Sequence, residues 1–394
     1  MRRAAFLPVA LLLAACGAER SGELPAEIRA APAAPTVAMS PYADAAAALE
    51  GIAWSPALER QVAGLLVGKV LNRAALEQIL TDARPALDAL ADAAHRNGWT
   101  LPPPDAPRVS RDDWEAAVWL AYGEARTLAD DGEVGDAAAR AALAGALAAR
   151  LASADGAGLG DLVIAFGLSE AASLQAQRMA AALPGEAARF APPPPLPQAA
   201  WSDAMRAEAI AATDRIAAMA ADPVGGLGLS ADAIPPDLAD AAPADLFDTA
   251  AVQDEAVGLF LTLADRTLAD CDAPPPLPRP AAPDPGAPNL AGHVFLRDLR
   301  AALVQIDDRR CLTEAARRAA ALAVRLHAAE GGLPAALPDD RSLADPFTGA
   351  PFAYDAAGGT IRSAGRDRTL AYGPGRGPFD DDEPTWFLDL RPLL

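Results

Sequence analysis

Ser110-Arg111-Asp112-Asp113-Trp114-Glu115-Ala116-Ala117-Val118-Trp119-Leu120-Ala121-Tyr122-Gly123-Glu124-Ala125-Arg126-Thr127-Leu128 carries a clear helical period. Trp114, Val118, Ala121, Tyr122, Ala125 and Leu128 fall on one stripe of a 3.6-residue helix. Ser110 with Asp113 forms a capping-box start, in which side chains satisfy the first free amides. Asp130-Asp131-Gly132 ends the helix. An alanine-rich helix follows through Leu143, Leu147 and Leu151, then the glycine-rich turn Gly156 to Gly160, then a helix from Asp161 to near Leu183. Upstream, Leu58, Val62, Leu65, Leu66 and Val70 make one apolar face, and Leu76, Ile79 and Leu80 continue it. Pro85 starts or kinks the helix carrying Leu87 and Leu90, and residues 97–104 break it. Helices joined by short turns stack antiparallel, here without a strict repeat.

Downstream, Pro192 to Pro197 is a stiff spacer, and helices resume at Trp201–Ala221 and Thr249–Leu268. Residues 272–288 are rich in proline and alanine and mark a domain boundary. Phe295, Leu299, Ala302, Leu303 and Ile306 read as one helix, and Thr313 to Glu330 as another. After Gly331-Gly332, Phe352-Ala353-Tyr354 and Thr360-Ile361-Arg362 flank a glycine-containing loop as a hairpin, and Trp386-Phe387-Leu388 is a last strand. The expected fold is mainly α, a helical bundle or short solenoid, with a small C-terminal α+β domain. The expected divisions are a signal at 1–15, a flexible tether at 16–45 and a helical domain at 46–190. Further helices at 191–272, a Pro-rich linker at 273–292 and the α+β domain at 293–394 complete the sequence.

Composition narrows the partners. The protein has 394 residues, 52% hydrophobic but only 5% aromatic, and a net charge of −20. Much of the apolar content is alanine, which favours helix and thin cores. Without Arg2 and Arg3 the side chains number 31 basic against 53 acidic, or −22. Such a surface repels nucleic acid and anionic headgroups, so no nucleic-acid partner is expected.

The N-terminus reads as an export signal. Arg2 and Arg3 precede the apolar run Ala4 to Leu13, and Leu13-Ala14-Ala15-Cys16 closes it. The run is too short to span a bilayer, which takes about 20 apolar residues. The Leu-Ala-Ala-Cys ending resembles the lipobox of bacterial lipoproteins. That resemblance implies cleavage before Cys16, acylation of Cys16 and attachment to the membrane through the lipid. Gly17 after the cysteine implies the outer membrane, facing the periplasm. Cys271 and Cys311 remain. In an oxidising envelope compartment they are expected to pair, closing a loop of about 40 residues; two buried thiols are the alternative.

The segment from about Thr313 to Leu390 resembles the globular part of the major pseudopilin of type II secretion systems. The resemblance rests on a helix, then Gly332-Leu333-Pro334, the run Asp345 to Tyr354, Ser363-Ala364-Gly365-Arg366-Asp367 and the acidic run Asp380-Asp381-Asp382. It departs from that family in lacking a prepilin cleavage segment and an apolar N-terminal helix. The resemblance implies one Ca²⁺, with Asp367, Asp380, Asp381 and Asp382 as ligands. A solvated acidic loop, with Arg366 and Arg368 pairing the same aspartates, is the alternative. Residues from about Ala83 to Leu183 look like the helical part of uncharacterised bacterial envelope proteins that also end in a pseudopilin-like cap.

Catalytic motifs are sparse. His95, His293 and His327 lie in no ligand spacing, and Gly167-Leu168-Ser169-Glu170-Ala171 lacks the second glycine of a nucleophile elbow. The glycine runs at 156–160 and 373–377 lack a following Lys-Ser/Thr and read as turns. Asp307-Asp308 and Asp339-Asp340 are common pairs in so acidic a protein. Two functions from different classes follow. One is a lipid-anchored, non-catalytic scaffold with an envelope protein partner, linked to a secretion or pilus-like system. The other is an envelope hydrolase assembled from distant residues. A broad apolar groove would favour the first, and a cleft with converging polar groups and shifted carboxylates the second.

Overall fold

A computed structural model describes residues 40–52, 55–66, 69, 72–103, 106–221, 247–277, 289–329, 333–368 and 384–387. The fold is mainly α with a small three-stranded sheet. The helices are α1 (Pro41–Glu50), α2 (Pro56–Leu66), α3 (Arg73–His95), α4 (Arg111–Asp130), α5 (Val134–Ala141), α6 (Leu143–Ala152) and α7 (Leu159–Ala182). They are followed by α8 (Gln198–Met219), α9 (Thr249–Ala264) and α10 (Leu290–Ala328), with short 3-10 turns at Pro184–Arg189, Leu268–Asp272 and Arg341–Leu343.

Residues 16–39 of the expected tether lie outside the described residues, and residues 41–45 are helical. Ser40 caps α1 by accepting the Tyr42 amide, and it also accepts the Thr100 amide at 2.8 Å. Tyr42 packs with Trp99 and Trp114, ring centroids 6.0 to 6.4 Å apart, and its hydroxyl accepts the Val109 amide. One buried aromatic thus ties residues 41–45, expected as tether, into the helical core. Pro85 sits inside α3 without starting a new helix. The alanine-rich segment divides at Ala142 into α5 and α6. Ser110 caps α4 by accepting the Asp113 amide, and its hydroxyl donates to the Asp113 carboxylate at 2.7 Å.

Helix α7 is buried on nearly every side from Leu168 to Ala180. Two of its long polar side chains bond the backbone of neighbouring segments. Gln175 donates to the Val118 carbonyl, and Arg178 donates to the carbonyls of Leu65 and Leu66 while lying over Trp119. Burial pulls the Arg178 guanidinium below its ordinary pKa. Helices α8 and α9 run antiparallel, tied by Trp201 to the Leu263 carbonyl and by Gln253 to the Thr213 carbonyl.

The two helices expected at Phe295–Ile306 and Thr313–Glu330 are one. Helix α10 runs for 39 residues, about 58 Å. The polar run Asp307-Asp308-Arg309-Arg310 resembles a linker but contains neither glycine nor proline, and its charges are paired in place. Phe295, Leu296, Leu299, Leu303 and Ile306 belong to the large helical core. Leu312, Ala315, Ala319, Leu322 and Leu326 belong to a second core with Phe347, Phe352, Ile361 and Trp386. In packing, the division between cores therefore falls within α10, not in the linker at 273–292.

The second core is closed by β1 (Ala353–Asp355), β2 (Thr360–Arg362) and β3 (Thr385–Phe387), all antiparallel, with Tyr354 opposite Ile361 and Ile361 opposite Trp386. The buried Asp345 organises its edge. Asp345 accepts the amides of Phe347 and Ala364 and the Ser363 hydroxyl, at 2.7 to 3.0 Å. Burial raises the Asp345 carboxyl above its usual range, although these donors oppose the shift.

Two glycines are expected to respond with opposite signs. A Cβ on Gly145, in α6, would lie 2.8 Å from Pro193 Cβ and 3.3 Å from its Cα. Gly145→Val should lower stability by about 1–3 kcal/mol through overpacking against the proline spacer. A Cβ on Gly258, exposed in α9, would meet nothing within 4 Å, so Gly258→Ala should gain about 0.5–1 kcal/mol. Denaturant midpoints of the two variants check both signs.

Candidate functional site

Among the described residues, buried charge is concentrated in the middle of α10, at Asp307, Asp308, Arg310 and Glu314. Asp307 is fully buried and is shared by two arginines. Arg310 donates to its Oδ1 through Nη2 at 2.8 Å and Nε at 3.1 Å, and Arg266 Nε lies 3.1 Å from its Oδ2. Arg266 also donates to the carbonyls of Asp270 and Ala273, fixing the 3-10 turn that follows α9. Two helical turns on from Asp307, Glu314 is shared by Arg317 and Arg318, each at 2.7 Å, and Arg318 continues to the Ala344 carbonyl. On another side, Glu170 of α7 takes Arg309 and the Thr313 hydroxyl. Asp308 faces the C-terminal turn, with Arg366 at 3.1 Å and Arg368 at 3.7 Å.

A disulfide joins Cys271 to Cys311, with Cα atoms 5.7 Å apart. Both cysteines are fully buried in the second core. Arg368 donates to the Cys271 carbonyl at 3.2 Å and lies over Phe347. The bridge therefore fastens the turn after α9 to α10 one residue beyond the Asp307–Arg310 pair.

Between α7, the start of α8 and α10 lies a cleft of about 30 Å³. Leu162, Phe166, Leu196 and Trp201 wall it, and Arg310, Thr313, Glu314 and Arg317 bring polar groups to it. The Arg310 guanidinium stacks 5.0 Å from the Trp201 ring centre. Burial would push the Glu314 carboxyl up, but Arg317 and Arg318 outweigh it and hold the group below the usual carboxylate range. Glu314 in turn raises the Arg317 guanidinium.

No family model, curated protein or solved structure matches this sequence. The reading of the site therefore rests on its chemistry.

Of the residues singled out by sequence, Cys16 lies outside the described residues, as do Asp380, Asp381 and Asp382. Asp367 lies in the turn at 365–368. The neighbouring Arg366 and Arg368 reach Asp308 on α10, which places their charge on the helix. Among the described residues no group of three His, Cys, Asp or Glu side chains is placed to hold a metal ion. The histidines sit on α3 and near the two ends of α10. In the sequence Asp307-Asp308 reads as a common acidic pair. The available signal was its context: two arginines and a cysteine follow directly, within an unbroken helical period.

Glu314 gives a pH prediction. Its folded pKa is depressed, so the stability it contributes is present above its unfolded value of about 4.3 and is lost as pH falls through the folded value. Glu314→Gln should be less stable than wild type at pH 7, with the gap narrowing below about pH 4. Denaturant unfolding across that range checks it; a gap that is constant or widens contradicts the assignment.

Proposed function

We propose that this is a lipid-anchored cell-envelope protein, held through an acylated Cys16 at the outer membrane and facing the periplasm. Its folded part acts as a non-catalytic scaffold or interaction module for an envelope protein partner, within a secretion or pilus-like system. The observation that best supports this is the fastening of two cores along one helix by buried ion pairs and a disulfide. Disulfides persist in oxidising envelope compartments. A stiff body on a tether suits a module that presents one surface to a partner.

Leu66 is the one exposed large hydrophobic among the described residues, so a broad apolar groove is not what a partner would meet there. No described helix is long and apolar enough to cross a membrane. The hydrolase alternative draws on the cleft beside α10, but Glu314 is held ionised there by arginines, opposite to the raised pKa of a general acid. The calcium ligand set Asp367, Asp380, Asp381 and Asp382 belongs to this reading. Calorimetry separates this site from the alternative of a solvated acidic loop: a binding heat that Asp381→Ala with Asp382→Ala abolishes supports the site, and no heat at millimolar calcium leaves the solvated loop.

Intact mass of membrane-extracted protein, with crosslinking in whole envelopes, tests the proposal. Acyl groups on Cys16, and a crosslinked envelope protein lost on Cys16→Ser, are the expected results. A mature protein starting elsewhere, or an unmodified Cys16, overturns the anchor; absence of any reproducible crosslinked partner overturns the scaffold.

A further inference from the structure

We propose that the cleft between α7, α8 and α10 is a binding site for the carboxylate of an apolar or aromatic acid. The proposal stands apart from the scaffold reading and rests on three features. Arg310 is buried, 4% exposed, and lines the cleft; its Nε and Nη2 are committed to Asp307, while Nη1 has no hydrogen-bond partner. A buried guanidinium N–H without a partner is costly, and an oxyanion would satisfy it.

The second feature is the start of α8. Pro197 and Gln198 line the cleft, and this 22-residue helix begins with no capping side chain and no acidic residue in its first turn. Its first amides and the positive end of its dipole favour an anion. The Gln198 side chain is occupied with the Arg266 carbonyl, so it does not supply a cap.

The third feature is charge and shape. Arg266 and Arg310 share one carboxylate, Asp307, and Arg317 and Arg318 share another, Glu314. The carboxylate that itself lines the cleft, Glu314, is thus already matched by two arginines. In a protein of net charge −20 this is a local excess of positive charge beside apolar walls. A space of about 30 Å³ holds one or two waters, the size of a carboxylate head and not of a larger ligand. Phe166, Leu196 and Trp201 among its walls offer an apolar surface to the rest of such an acid.

Equilibrium dialysis of the mature, full-length protein in detergent tests the site with benzoate, benzamide, and a short peptide ending in phenylalanine as free acid or amide. The expected result is saturable binding of benzoate, of the free-acid peptide, or of both, with the matching amide at least about tenfold weaker. Binding confined to the peptide would identify the carboxyl end of a polypeptide as the source, and binding of benzoate a free acid. Arg317→Gln, which leaves Glu314 paired with Arg318, should weaken binding about tenfold while its circular-dichroism melt shows a folded protein. Arg310→Gln should do the same, and if it fails to fold, Arg317→Gln decides. Absence of saturable binding of either acid at millimolar concentration, equal binding of acid and amide, or unchanged affinity in folded Arg317→Gln overturns the proposal.

Discussion

Asp307→Ala is expected to lower stability by about 3–5 kcal/mol, because it leaves Arg266 and Arg310 buried with no carboxylate between them. Both arginines are at least nine-tenths buried, so water cannot replace the lost partner. Desolvated cations without a counterion are among the largest costs a single substitution imposes. The paired ions themselves need not be net stabilising. Replacing Arg266, Asp307 and Arg310 together by Met, Leu and Met should recover most of the loss, since a packed apolar trio can match a buried ion group. Denaturant unfolding of the single and triple variants separates the two. A mild effect of Asp307→Ala would mean that water or another acid already reaches these arginines.

Removing the disulfide should have the next largest effect. A loop of 40 residues gives a chain-entropy stabilisation of roughly 4 kcal/mol. Cys271→Ser with Cys311→Ser should therefore lower stability by about 2–5 kcal/mol. The loss should be greater than loop closure alone predicts if Arg266 and Arg368 release the turn at 268–272 along with it. Reduction of wild type should reproduce the shift in the same unfolding assay. An unchanged midpoint after complete reduction would mean that the turn is held by its hydrogen bonds alone.

The helical architecture was legible because amphipathic stripes and caps are local. Trp114, Val118 and Tyr122 lie on one buried face, and Ser110 caps their helix through a pattern three residues long. The hairpin was legible from alternation about a glycine-containing loop. The course of α10 was not. Asp307 to Arg310 looks like solvent-facing sequence, and it becomes core only because Arg266, Glu170, Arg366 and Arg368 arrive from distant parts of the sequence. Tyr42 was hidden for the same reason: its partners Trp99 and Trp114 lie more than fifty residues away. The cleft combines Arg310 on α10 with the start of α8, a juxtaposition that no local pattern encodes.

The buried ion pairs, the cleft and the scaffold role all depend on the continuity of α10 through its charged middle. Native-state hydrogen exchange of peptides spanning Leu303 to Ala315 measures it directly. Exchange there should be as slow as in the buried helix α7, and it should accelerate in Asp307→Ala. Fast exchange at Asp307 to Arg310 in the wild-type, disulfide-bonded protein would show two helices with a loop between them, and would contradict the account.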